Sequence, residues 1–336
     1  MFILFPCLLI AQIGGDHVYE FVNIPISPRA AALGGSALAI DDGDISLANE
    51  NPALFSKATD GKLGMDFINY LADINLGYTS YAHHFDQVGT IGVGFQFLSG
   101  GTYTRADEDG YTYGTFSTSE YALNLSYAKS FDSLFSIGAT VKPVYSQLDT
   151  YRSLGLLMDI GAIYSSKDKL TSVALLFRNM GSQLTTYNGE QEPVPFEIQL
   201  GVATKLEHAP FRFSMVLHNL ETPDLSYTQS NYPEPVNTDI TYTREKVLSI
   251  AQKAFMHTIF GVEFVPTKSF FVRAGYNYQR RQELKLDDKP GMTGFSWGFG
   301  FRISKFHLSY ANVRYHNAGI SNQFAITTNL SDFFKN

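Results

Sequence analysis

The stretch TGFSWGFGFRI, Thr293–Ile303, carries Phe295, Trp297, Phe299, Phe301 and Ile303 on one parity. The other parity is Gly294, Ser296, Gly298, Gly300 and Arg302. Successive side chains of a strand point to opposite faces. One face is therefore a band of large apolar groups, and the other is nearly bare backbone plus one cation. A soluble β-sandwich strand with its core on the aromatic side fits this pattern. A transmembrane barrel strand, with aromatics toward lipid and small or polar groups toward the lumen, fits it too. Trp297 stands mid-strand among phenylalanines rather than in an interface girdle. Repetition of the pattern, and the way its copies are joined, decide between the two.

The pattern repeats from Lys62 onward. Ile91, Val93, Phe95 and Phe97 alternate with Gly92, Gly94 and Gln96, and Phe196, Ile198, Leu200 and Val202 alternate with Glu197, Gln199 and Gly201. Similar segments begin near Leu63, Ile74, Tyr121, Phe135, Leu156, Thr171, Phe211, Phe260, Val272, Phe306 and Asn322. The count is about fourteen, an even number within the range of single-chain barrels. Every second connection is a tight polar turn: Phe85–Val88, Ser130–Ser133, Ser166–Lys169, Glu207–Pro210, Pro266–Lys268 and Ser304–Lys305. Most alternate connections are long: Gly100–Ser119, Gln147–Ser153, Gly181–Pro195, Glu221–Phe255 and Arg280–Met292. A soluble sandwich has no reason to sort its loops by parity. Short periplasmic turns opposite longer external loops are expected of an outer-membrane barrel.

Composition agrees. Of 336 residues only 17% are charged while 14% are aromatic, against about 25% charged in an average soluble domain. After the first residues no run of about 18 apolar residues occurs, so a spanning helix is not expected. The net charge of -7 and the lack of a basic run exclude nucleic acid as a natural partner. The start, MFILFPCLLIAQIGG, has the length of a signal-peptide core without a basic n-region. It is read as a signal peptide, residues 1–15, that carries the only cysteine, Cys7.

Residues 16–61 are not strand-like. Ser27 can cap a short helix opened by Pro28 and stopped by Gly34-Gly35. Asp41-Asp42-Gly43-Asp44 lacks the spacing of a calcium loop and reads as a solvated turn. This small-residue segment is expected to form a plug, with Ser27–Leu54 in the lumen against the glycine face of Thr293–Ile303. Residues 62–336 would be the barrel. The fold class is therefore all-β, a transmembrane antiparallel β-barrel of about fourteen strands with a short N-terminal helical plug.

No motif for a catalytic, cofactor-binding or metal site is present. His83 and His84 are adjacent on a strand and face opposite sides. Ser309 with His307 or His316 is a pair by composition alone. Arg280-Arg281 is expected at headgroup level. Lys142, Asp159, Glu197, Glu263, Arg273 and Arg302 point inward in this register, and charges of both signs there should pair with each other or with the plug. Within Thr243–Phe255, Val247, Leu248, Ala251, Ala254 and Phe255 share a helical face.

Several strings carry a family resemblance: FVNIPISPRAAALGG (Phe21–Gly35), NPAL (Asn51–Leu54), YRSLGLLMDIG (Tyr151–Gly161), RNMG (Arg178–Gly181), HAPFRFS (His208–Ser214) and HNLETPDL (His218–Leu225). The sequence resembles the PorV/PorQ-type outer-membrane barrels of the type IX secretion system of Bacteroidetes-type bacteria, related to FadL-type barrels. The family implies a non-catalytic scaffold of the cell-surface attachment complex in the outer membrane. It would anchor a PorZ-like partner, beside PorU-like sortase and PorV-like proteins, among outer-membrane lipid and lipopolysaccharide, with no cofactor. Contact would fall on the long loops Gly100–Ser119 and Glu221–Phe255. The alternative is a FadL-like transporter of hydrophobic molecules across the outer membrane.

Overall fold

The structure is a computed structural model that describes residues 17–71, 74–132, 134–225, 250–267, 269–284, 291–316 and 319–334. The proposed signal peptide lies outside the described residues. So do Val247 and Leu248 and most of the loop Glu221–Phe255.

Residues 18–55 carry two short helices, α1 (Pro28–Ala32) and α2 (Ile45–Ala48), and a 3-10 turn at Pro52–Leu54. Fourteen strands follow, closed into one barrel in which each pairs antiparallel with its neighbours in sequence. They are β1 (Lys62–Asn69), β2 (Asn75–Phe85), β3 (Gly89–Ala106), β4 (Thr112–Ser130), β5 (Phe135–Leu148), β6 (Tyr151–Ser165) and β7 (Thr171–Thr185). The second half is β8 (Glu197–Lys205), β9 (Phe211–Leu217), β10 (Thr258–Thr267), β11 (Phe270–Asn277), β12 (Phe295–Ile303), β13 (Phe306–His316) and β14 (Gly319–Asn329). Helices α3 (Ile250–Met256), α4 (Tyr278–Leu284) and α5 (Ser331–Phe334), with further 3-10 turns at Glu20–Asn23 and Lys57–Thr59, complete the described elements. β1 closes on β14, with Lys62 opposite Asn329 and Asn69 opposite Asn322.

The parity expected from sequence is the parity found. On β12, Phe295 (45% exposed) and Trp297 (48%) face outward, while Ser296 is buried inward at 3%. The outer face of the barrel is a continuous apolar belt, with rings in contact from strand to strand: Trp297 with Tyr310, and Tyr310 with Phe324. Such a surface is stable only against lipid. β12 begins at Phe295, so Trp297 lies near its outer end rather than at mid-depth.

The loops depart from expectation. Gly100–Ser119 is mostly sheet: β3 and β4 stay paired out to Ala106 and Thr112 and form a hairpin longer than the neighbouring strands. Gln147–Ser153 shrinks to a tight turn with Asp149 at φ +58. The loop beginning at Arg280 contains helix α4, and the chain's aromatic end folds as α5, where Phe333 packs on Phe306. Alternation cannot show where a paired hairpin leaves the membrane, because pairing continues while the outward side changes from lipid to water.

Candidate functional site

The interior of the barrel is filled by the N-terminal segment, and the wall is shaped to admit it. Ser27 Oγ accepts from the backbone N–H of Arg29 (3.2 Å) and Ala30 (3.5 Å), Pro28 occupies the first helical position, and α1 ends at Gly34 and Gly35 with φ of +105° and +120°. After Arg29, whose side chain reaches Glu263, α1 continues as three alanines, Ala30–Ala32, so its backbone can lie directly on the wall. A Cβ on Gly275 of β11 would overlap the Leu33–Gly34 peptide, and one on Gly298 of β12 would meet Ala32 Cβ at 2.8 Å. Across the lumen, a Cβ on Gly138 of β5 would lie 2.5 Å from the Pro52 carbonyl. The glycine face of Thr293–Ile303 is thus only partly a plug contact. Gly298 serves it, Gly300 lies opposite the Arg273 guanidinium, and Gly294 is a turn residue at φ +88°.

Toward the short-turn end the plug is held by charge. Arg29 donates from Nε and Nη2 to the Glu263 carboxylate of β10 (2.8 and 2.9 Å). Its Nη2 also reaches Asp42 (2.7 Å), and its Nη1 reaches Asp44 (3.0 Å). Arg273 of β11 donates to Glu263 at 2.9 Å, and Arg212 of β9 bridges Glu263 and Asp42 at 2.8 Å each. Three arginines thus meet three carboxylates, two of them from the plug. Burial pushes the Asp42 carboxyl up, but Arg29 and Arg212 beside it outweigh that and hold it below the usual carboxylate range. Asp41 and Asp42 are exposed, as a solvated turn would have them, but the carboxylates of the cluster are engaged as well: Asp44 also caps α2 through Ser46 N–H, and Asp41 accepts from Ser165 Oγ.

At mid-depth the wall itself is irregular. β7 pairs with β8 only from Thr171 to Arg178. At Asn179 the backbone turns to φ +55°, and the register with β6 shifts between Met158 and Ile160. Such a bulge leaves backbone groups to be satisfied otherwise. Asn179 N–H donates to Asp159 Oδ1 (2.8 Å), and its side chain joins Lys142 (2.8 Å), the plug's Asn23 (2.7 Å) and the Pro195 carbonyl (3.1 Å). Lys142 and Asp159 pair at 2.6 Å. Arg178 donates to the Val22 carbonyl at 2.8 Å. It also faces Glu50 at 3.9 Å, whose carboxyl burial holds above its usual range in spite of that arginine. The outer half of β7 has no strand beside it on the β8 side. The 186–196 connection and the plug close this gap, with Val18 N–H donating to the Pro193 carbonyl (2.9 Å).

Beside the bulge lies an apolar cluster. Val18, Tyr19, Phe21 and Val22 of the plug pack on Ala122, Val144 and Leu157 of the wall, covered by Leu98, Tyr187 and Val194. Tyr19 Oη is hydrogen-bonded to Ser153 Oγ.

The inward charges Lys142, Asp159, Glu197, Glu263 and Arg273 are all buried, as their parity implied. Arg302 is instead exposed at the short-turn mouth. Arg280 departs from the headgroup level expected for it: its guanidinium lies 4.5 Å from the Tyr315 ring, close to the plug's Gly35. His83 pairs with Asp60 at 3.0 Å and His84 with Thr90 at 2.9 Å, so they do not converge. Ser309 Oγ accepts from Arg273, and no bond joins it to His307 among the described residues. Nor does any group of three or more His, Cys, Asp or Glu there suit a metal. Sequence reading passed over Arg29, the centre of the inner network. Its signal was available: it is the one charged residue in an otherwise small and apolar helix.

No family model matches the chain, and no curated protein does. Solved structures do. The toluene transporter TbuX of Ralstonia pickettii superposes with a TM-score of 0.55 at 12% identity, over 92% of this chain and 99% of that one. The Pseudomonas putida toluene transporter TodX gives 0.52 at 14% identity, over 90% and 96%. A Pseudomonas aeruginosa FadL homologue gives 0.50 at 10% identity, over 90% and 98%. Identities this low establish a shared fold, that of FadL-type outer-membrane barrels.

Proposed function

We propose that the chain is an outer-membrane channel that admits small hydrophobic molecules sideways, through the gap at the β7 bulge, and that its plug holds the gap shut. The observation that carries this reading is the placement of the bulge. The outer half of β7, which keeps its β6 partner but has none on the β8 side, stands beside an apolar cluster built largely from plug side chains. Tyr19, Phe21 and Val22 occupy volume that an apolar ligand of similar size could take if Val18–Asn23 withdrew. Apolar lining with a few fixed polar groups is the usual character of a small-molecule site. The toluene transporters named above share the barrel fold, which supports this reading.

The test locks the gap. In a Cys7→Ser background, Asn23→Cys/Asn179→Cys bridged by a short bis-thiol crosslinker is expected to abolish uptake of toluene into proteoliposomes, with recovery when the linker is cleaved. Tyr19→Ala/Phe21→Ala is expected to raise uptake several-fold by emptying the cluster. Absence of uptake by the unmodified barrel, or indifference to the crosslink, sinks the channel reading.

A second reading, the type IX scaffold, is favoured by a separate observation. The β3–β4 hairpin outruns its neighbours and exposes Tyr111 (74%) and Tyr113 (64%), the kind of amphipathic anchor that partner interfaces use. Deleting residues 103–115 should then release PorZ-like and PorU-like proteins that co-purify with the barrel. Their retention, or a barrel that purifies alone, speaks against it.

A further inference from the structure

We infer that the short-turn mouth of the barrel is a binding site for a phosphate group, carried by a small molecule or by a lipid head. This inference stands apart from the channel reading and uses none of its residues. The mouth opens into a cavity of about 570 Å³, within the size range of small-molecule sites. In bacterial barrels the short-turn end faces the periplasm.

The charge of this cavity divides into two layers. Its floor is the Arg29, Arg212, Arg273 network, matched by Asp42, Asp44 and Glu263. That layer is neutral. The rim is not. Lys62 at the start of β1, Lys205 at the end of β8, Arg302 of β12 and Lys305 in the turn after it all line the cavity, with Asp332 the one carboxylate among them. None of the four cations forms an ion pair with a carboxylate among the described residues. Lys62 donates to the Gly43 carbonyl (2.5 Å), and Lys305 donates to the Asp332 main-chain carbonyl (2.6 Å) while lying 4.5 Å from the Phe333 ring. The rim thus holds an excess of three positive charges in a chain whose net charge is -7.

Four cations that line one concave space, from β1, β8 and the β12–β13 hairpin, repel one another. Folding tolerates this at low cost when an anion is supplied from outside, since a cleft lined by one sign of charge concentrates counter-ions. Phosphate suits the rim better than a single carboxylate. It has several acceptor oxygens, which can engage the Arg302 fork and separate ammonium groups together. Phe211, Val265 and Phe271 line the same cavity. They offer apolar surface to whatever carries the phosphate, which favours a glycerol-phosphate type of group over a bare ion.

The test uses the full chain purified in detergent. Isothermal titration with inorganic phosphate and with glycerol phosphate is expected to show saturable binding that rising salt weakens. Lys205→Gln/Arg302→Gln is expected to lower the affinity at least about tenfold, which is about 1.4 kcal/mol. Lys205→Arg/Arg302→Lys should retain most of the affinity, which separates lost charge from misfolding. A second arm reconstitutes the protein in phosphatidylcholine vesicles with and without phosphatidylglycerol and measures the lipid that co-purifies on re-extraction. Selective retention of phosphatidylglycerol, lost in the Gln variant, identifies a lipid head as the source. Titration without lipid selectivity identifies a soluble phosphate compound. No binding in either arm, or binding that the Gln variant leaves unchanged, overturns the inference.

Discussion

Arg29→Met is expected to free the plug while leaving the barrel standing. The substitution keeps most of the side-chain volume but removes the cation that Glu263, Asp42 and Asp44 share. Breaking a buried ion network from one side leaves uncompensated charge and costs about 3–5 kcal/mol. Arg273 and Arg212 still neutralise Glu263, which sits in the wall. The loss therefore falls mainly on the plug's docking, because Asp42 and Asp44 lose their shared partner. Hydrogen exchange of backbone amides in 27–55 should accelerate by two orders of magnitude or more, given about 1.4 kcal/mol per tenfold, while amides of β10 and β11 stay protected. Planar-bilayer recordings should show a larger and noisier conductance than the native barrel. Unchanged exchange in the plug would mean that its apolar contacts alone hold it.

Gly275→Val tests the steric half of the same interface. The added side chain would overlap the Leu33–Gly34 peptide, which is backbone and cannot turn aside. Overpacking of a fitted interior costs about 1–3 kcal/mol, and more where the obstacle is main chain. Strand β11 itself accepts valine readily. Ala274→Val, one residue away and facing lipid, is the control. The expected result is a folded, heat-modifiable barrel for both variants, with protease access to residues 27–55 only for Gly275→Val. Equal protection in the two would refute the direct contact between α1 and the β11 backbone.

The two experiments probe features of unequal legibility. The glycines of the lumen face stood out in the sequence because each breaks an otherwise bulky alternation, and a wall of missing side chains implies that something fills the space. Arg29 was harder to see. Its partner Glu263 lies 234 positions away, and no local pattern connects two such residues. The β7 bulge was invisible for a related reason. Arg178-Asn179 continues a plausible strand, and only the failure of β8 to extend beyond Glu197 shows that pairing stops there.

What the sequence determined by itself was the barrel. Two-residue periodicity, repeated about fourteen times with aromatics on one parity, is a local property of each strand, and lipid on one side enforces it independently at every position. Turn length by parity then fixed which ends are short. The glycine face of β12 already pointed to a plug against that wall, and tertiary structure alone decided the rest of how the interior is used: α1 lies against β11 and β13 as well, Arg29 reaches Glu263, and Asn23 closes a bulge in β7. Those choices depend on the shape and charge of a closed lumen, which exists only once β1 has met β14.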